Sequence, residues 1–245
     1  MSLAFLVLLS ACILAVAILY SSVGHGGASG YIAVLALFSL APSAFKPTAL
    51  VLNILVSAVA AYHFTRAGHF SRRLFLPFAA TSIPFSFLGG YVNLPLPVYK
   101  PLIGIVLLAS AWRLFSQNKC VETERMPPSM PVALVVGALL GFLSGLTGVG
   151  GGIFLSPLLL LRRWSKAKEA SAVAALFILV NSLSGLLGHI SSLQAVPAFV
   201  PLLAAAALGG GITGSFFGSN RLPVPGAVKV LCAVLAIAGI KLLLV

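Results

Sequence analysis

The sequence predicts an all-α fold, a polytopic membrane protein of two inverted repeats, each with about five full or partial transmembrane helices including a Gly-rich broken helix. Composition supplies the first observation. Of 245 residues, 60% are hydrophobic and 7% charged, against roughly 25% charged in a soluble domain. The second is a duplication. YSSVGHGGASGYIAVL at 20–35 returns as SGLTGVGGGIFLSPLL at 144–159, so that Gly24, Gly26 and Gly27 lie 124 positions before Gly148, Gly150 and Gly151. The third is the placement of the basic residues, which fixes how often each half crosses the membrane.

Taken in order, the chain opens on an apolar run from Leu3 to Leu19. No Lys or Arg precedes Lys46, so the positive start of a signal peptide is missing and the run reads as a structural helix. A helix does not easily pass through three or four glycines in five residues, each costing ~1 kcal/mol relative to Ala. Both glycine stretches should therefore be breaks. Broken backbone inside a membrane persists only where it lines a protein-walled or watery cavity. The apolar stretch Tyr31 to Ala41, closed by Pro42, would reach about 18 Å as a helix, a partial crossing. A helix from about Pro47 to Phe64 follows, then a loop with Arg66, Arg72 and Arg73, a helix from about Leu74 to Val92, a turn with Pro95 and Pro97, and a helix from about Pro101 to Phe115.

Residues 117–130 form a hydrophilic linker with Glu122 and Glu124, dividing a first repeat at 1–116 from a second at 131–245. The second half brings the first half's landmarks back. Phe75-Leu76-Pro77 matches Phe199-Val200-Pro201, LPLP at 94–97 matches LPVP at 222–225, and Trp112-Arg113-Leu114 matches Ile240-Lys241-Leu242. Such agreement points to internal duplication.

With five crossings per half, the loops at 66–73, 113–125, 162–168 and 219–221 share one side. They gather Arg66, Arg72, Arg73, Arg113, Lys119, Arg125, Arg162, Arg163, Lys166, Lys168 and Arg221. The other side keeps Lys46, Lys100 and Lys241, with Lys229 about two turns inside the last helix. This is the asymmetry that the positive-inside rule requires. Four crossings per half would instead set RRWSKAK at 162–168 opposite RAGHFSRR at 66–73. The odd count makes the halves inverted and places both termini outside a cell (inner) membrane. The loop at 190–196, the counterpart of 66–73, has no charge, as inversion demands.

Net charge is +12, with no Asp and only Glu122, Glu124 and Glu169 as acids. Because the bases sit between apolar runs, anionic lipid rather than nucleic acid accounts for them. Cys12, Cys120 and Cys232 are far apart and form no CxxC, so neither a disulfide framework nor a metal site is expected, and no cofactor. An oligomer is compatible with the sequence but not indicated by it.

The Gly-rich stretch after the first helix, its return as LSGLTGVGGG, and the later NSLSGLLGH at 181–189 together resemble the TauE/SafE family of membrane proteins, often called sulfite exporters. The resemblance covers nearly the whole chain. It implies an anion transporter of two related halves that handles sulfite or small organosulfonates such as sulfoacetate. The first copy departs from the family's usual pattern, with His25 between glycines and Ala28 where the second copy has Gly152.

Each break is followed by a helix start, near Ser29 and near Ile153. Such a start presents unpaired amides and roughly half a positive charge, and in inverted transporters two of them meet near the midplane. The expected substrate-binding set around the turns is Gly24, His25, Gly26, Gly27, Gly148, Val149, Gly150, Gly151 and Gly152. Ser21, Ser22, Ser29 and Thr147 stand beside the turns and could donate to substrate oxygens, or could bond a carbonyl one turn back. Asn53 and Asn181 lie inside apolar helices with Ser57 and Ser182 close by; an amide in hydrocarbon must face protein, as a brace or as a ligand contact. Tight small-residue packing is the competing account of the glycines.

Coupling commonly uses a buried ionisable group. Only His25, a proton carrier by chemistry, and Glu169, at a helix mouth, offer one. A negative interior drives a monovalent anion outward by ~2.3 kcal/mol per 100 mV, so export needs no coupling ion. The sequence therefore points to a secondary transporter that exports a small anion by alternating access, or alternatively to an anion channel or an uptake transporter on the same scaffold. A membrane enzyme lacks its acid and its metal cluster, and a non-catalytic assembly partner leaves the paired breaks unexplained.

Overall fold

Apolar runs punctuated by glycine and proline become ten helices in the computed structural model, which describes residues 3–41, 44–115, 126–189, 198–220 and 225–244. They are α1 (Leu3–Ser22), α2 (Ala28–Leu37), α3 (Phe45–Arg66), α4 (Arg72–Tyr91), α5 (Leu96–Phe115), α6 (Met130–Thr147), α7 (Gly152–Leu161), α8 (Ala167–Gly188), α9 (Val200–Asn220) and α10 (Pro225–Leu244). The described residues contain no strand. Among the described residues, six helices, α1, α3, α4, α6, α8 and α9, are long and apolar enough to cross a membrane. The 190–196 loop, Glu122, Glu124, Lys119, Cys120, Arg125 and Arg221 lie outside the described residues, as do the side chains of Arg113 and Lys229.

Helix starts lie up to five residues before those expected from the apolar runs. Proline lacks only an N–H that a first turn does not use, so α3 begins at Phe45 and contains Pro47, while α5 begins at Leu96 and contains Pro97. At the other end, α2 stops at Leu37 instead of running to Pro42, because Ser39 turns left-handed with φ 56°.

Two four-helix groups make up most of the molecule, and each borrows one helix from the other half of the chain. In the first, α1, α2 and α3 pack with α9; in the second, α6, α7 and α8 pack with α4. The α5/α10 pair sits against α2. In lipid, apolar side chains gain little from meeting one another, so small residues that let backbones close in decide which helices pair. Gly137, Gly141 and Gly145 of α6 lie at four-residue spacing against Phe78, Ser82 and Ser86 of α4. Gly210, Gly214 and Gly218 of α9 do the same against Leu14, Ile18 and Ser22 of α1. A Cβ at any of these six positions would run into the facing helix.

The two groups meet where α3 lies beside α8. Ala60 and Ala61 of α3 cluster with Ala175 of α8, Asn53 bonds Ser182, and Lys46 is near His189. Rising numbers on one helix thus meet falling numbers on the other, so the pair is antiparallel.

Candidate functional site

Both glycine turns border this seam. The first, residues 23–27, leaves α1 with Gly24 at φ 75° and enters α2 from Gly27 at φ 97°. The second, residues 148–151, leaves α6 with Gly148 at φ 77° and enters α7 from Gly151 at φ 73°. Such left-handed backbone strains any residue with a side chain. Gly24 rests on Ser171 of α8, and Gly148 on Lys46 of α3.

Asn53 of α3, fully buried, ties the turns together. Its Oδ1 accepts from the Ala28 amide at 3.2 Å. Its Nδ2 donates to the Val149 carbonyl at 3.4 Å and to Ser182 Oγ at 2.9 Å. Gly26 and Gly150 both lie against that amide and against Ile178, and a Cβ on Gly26 would overlap Oδ1 while one on Gly150 would overlap Nδ2. Two stretches 124 residues apart therefore converge on one side chain. Asn53 acts as a brace in this arrangement, since both faces of its amide already have protein partners.

Several amides at the turns precede the first hydrogen bond of the helix that follows them. The helical ladder of α2 first closes with the Tyr31 amide on the Gly27 carbonyl at 2.9 Å, and that of α7 with Phe154 on Gly151 at 3.1 Å. The amides of Gly26, Gly27, Ser29 and Gly30 on one side, and of Gly150, Gly151, Gly152 and Ile153 on the other, precede these closures. Gly152 packs on Ile178. The Tyr31 hydroxyl, which lies on Gly27, and the Ser144 hydroxyl, beside Gly151, are buried without hydrogen-bond partners. Buried donors of this kind cost about 1–3 kcal/mol each when unmet. A solute rich in acceptors would relieve that cost, and two helix starts favour a negative one.

The other hydroxyls divide. Ser21 Oγ donates to the Ala17 carbonyl at 2.6 Å, Ser22 Oγ to Leu19 at 2.7 Å, Ser57 Oγ to Ile54 at 3.4 Å, and Thr147 Oγ1 to Leu143 at 2.6 Å. Each bonds its own helix. Thr147 Oγ1 also accepts from the Val149 amide at 3.3 Å, which holds the second turn in shape. Ser29 Oγ pairs with Tyr20 Oη at 2.8 Å. Asn181 donates to the Phe177 carbonyl at 2.8 Å, and its buried Oδ1 has no hydrogen-bond partner. It does not stand where Asn53 stands, because Ile178 occupies that register on α8.

His25 is buried in the first turn, with Nδ1 3.1 Å from the Val23 carbonyl and its ring edge-on to Tyr20. Glu169 is placed elsewhere, in a hollow of about 610 Å³ shared with Ser71, Arg73, Pro127 and Trp164.

Tyr31 and Ser144 look in the sequence like ordinary members of apolar helices, and Lys46 is there only one of the charges on the less basic side. Lys46 is instead buried, 6% exposed. It donates from Nζ to the carbonyls of Gly90 at 3.0 Å and Val92 at 3.4 Å, at the end of α4. Burial foremost, and then the Lys46 charge, hold His189 down at about 4, against a weaker upward pull from the Gly90 carbonyl.

Among known proteins, the Sulfite exporter TauE/SafE family profile matches residues 9–242. A probable membrane transporter protein of Sinorhizobium fredii is 40% identical over 93% of this chain and 94% of its own length. A probable membrane transporter protein of Methanocaldococcus jannaschii is 25% identical over 59% of this chain and 55% of its own. No solved structure matches the chain. With ten helices among the described residues, six of them long and apolar enough to span, and a family match over residues 9–242, the chain belongs to the TauE/SafE family of multi-pass membrane transporters and is not an enzyme.

Proposed function

We propose that the protein is a secondary transporter of two inverted repeats that exports a small anion, sulfite, sulfoacetate or a related organosulfonate, across the cell (inner) membrane with both termini outside. The observation that carries this reading is the convergence of the two glycine turns on Asn53, with first-turn amides of two helices and the unpartnered Tyr31 and Ser144 hydroxyls around them. Sulfite and sulfonates carry three oxygens that accept hydrogen bonds in several directions, which suits donors arriving from two helix starts. The exchanged packing, α1 with α9 and α4 with α6, is what a two-fold relation between halves would produce, and the antiparallel course of α3 and its counterpart α8 supports inversion.

The seam supports alternating access. Two helix groups that meet mainly along α3 and α8 can rock about it and expose the turns to either side. Burial of both turns favours a carrier over a channel. Export runs with the membrane potential, so His25 needs no coupling role, and Glu169 lies in a separate hollow.

Purified protein in proteoliposomes, loaded with sulfite, sulfoacetate or carboxylates, should show slow, saturable efflux that an inside-negative potential accelerates. Unitary currents would identify a channel, potential-opposed accumulation an uptake system, and no flux of any anion would count against the reading.

A further inference from the structure

The second residue of α3 is Lys46 and the second residue of α8 is Lys168. Both reach across the seam between the two helix groups. Lys46, in the first group, donates to the carbonyls of Gly90 and Val92 at the end of α4, in the second group. Lys168, in the second group, donates to the Ser219 carbonyl at 3.2 Å, at the end of α9 in the first. Neither α3 with α4 nor α8 with α9 makes substantial contact elsewhere among the described residues. Because α3 and α8 are antiparallel, these two bonds stand at opposite ends of the seam.

The two ends differ in one respect. Lys46 is buried and its stem lies on Gly148, whereas Lys168 is exposed. An ammonium on the carbonyl end of a helix is favoured by the helix dipole as well as by the hydrogen bond. Such a bond is strong when buried and weak when water competes for it.

We propose that Lys46 and Lys168 are paired latches of the transport cycle, one at each end of the seam, each holding one helix group to the other when its end is shut. The structure then corresponds to a state shut at the Lys46 end and loosened at the Lys168 end. In the opposite state Lys168 is buried on α9 and Lys46 is released to water, where it meets the anion as it passes Gly148. The proposal rests on the alternating-access reading above, but its test does not depend on transport.

In a background with Cys12, Cys120 and Cys232 replaced, single reporters Thr48→Cys, near Lys46, and Ser171→Cys, beside Gly24, are labelled with a membrane-impermeant thiol reagent in proteoliposomes. Lys46→Met should speed labelling of the Thr48 reporter by about tenfold and slow that of the Ser171 reporter, the shift expected from losing one buried charge-assisted bond. Lys168→Met should shift both in the opposite direction and by less. Lys46→Arg, which keeps the charge, should stay near the parent. Reporters that move together, or not at all, in Lys46→Met would overturn the latch. Opposed shifts in a protein that moves no tested anion would uphold it while removing the proposed substrate.

Discussion

Removing the Asn53 amide tests whether the two glycine turns depend on each other. Asn53→Ala leaves the Ala28 amide and the Val149 carbonyl without their side-chain partner and frees Ser182 Oγ. Each buried group left unmet costs about 1–3 kcal/mol. Two of the three bonds are long, at 3.2 and 3.4 Å, so the low end applies and the sum is about 2–4 kcal/mol. In a chain of this size that lowers the thermal midpoint by roughly 4–16 °C. Flux should fall further than stability explains, since the turns lose their common register, and a drop beyond tenfold is expected at temperatures where the variant remains folded. Asn53→Asp separates the two effects. It can still accept from Ala28 but sets a carboxylate against the Val149 carbonyl and adds a negative charge beside the proposed anion site, so it should abolish flux. Detergent-solubilised unfolding and proteoliposome efflux, measured on equal reconstituted protein, give both quantities. Flux within twofold of the parent in Asn53→Ala would refute the reasoning.

Three further outcomes follow from the same geometry. Gly26→Ala and Gly150→Ala each place a methyl group into the Asn53 amide, so each should cut efflux by more than tenfold, while Gly68→Ala, at a turn with open space around it, should leave efflux within twofold even though its left-handed φ lowers stability. Lys241 Nζ closes the end of α2 on the Ala36 carbonyl at 2.8 Å and Ser39 Oγ at 3.0 Å; Lys241→Met should cost about 1–2 kcal/mol in thermal unfolding with little change in substrate affinity. His189, held at about 4, stays neutral while the unfolded chain takes up its proton near 6.5. Its contribution to stability is therefore present above pH 6.5 and declines as pH falls toward 4, and a His189→Gln variant should show a shallower fall in thermal midpoint across that window.

Apolar composition and glycine were the legible parts of this sequence. Three glycines in the four residues 24–27 and four in the five residues 148–152 disfavour a helix whatever surrounds them, and α1 ends before the first stretch as α6 ends before the second. Partner choice was less legible. The face of α6 that meets α4 and the face of α9 that meets α1 carry the same small residues, and in lipid the surrounding apolar side chains give no address. Asn53 and Asn181 look alike as amides in apolar helices, but their roles separate by three residues of register, with Ile178 set where an Asn would have bridged the turns from the other side. The burial of Lys46 was not legible, for a general reason. A membrane lysine normally extends to headgroups, and only the carbonyl end of α4, unidentifiable as a neighbour from sequence, explains its burial.

The central claim is that the two turns hold an anion between them. Selenite is a close chemical analogue of sulfite and scatters anomalously, so its position in crystals of the protein can be located directly. One peak is expected between the amides of Gly26 and Gly27 and those of Gly150 and Gly151, within reach of Tyr31 and Ser144, and lost in Gly150→Ala. A peak confined to the Arg66 or Arg73 surface, or no peak at saturating selenite, would contradict it.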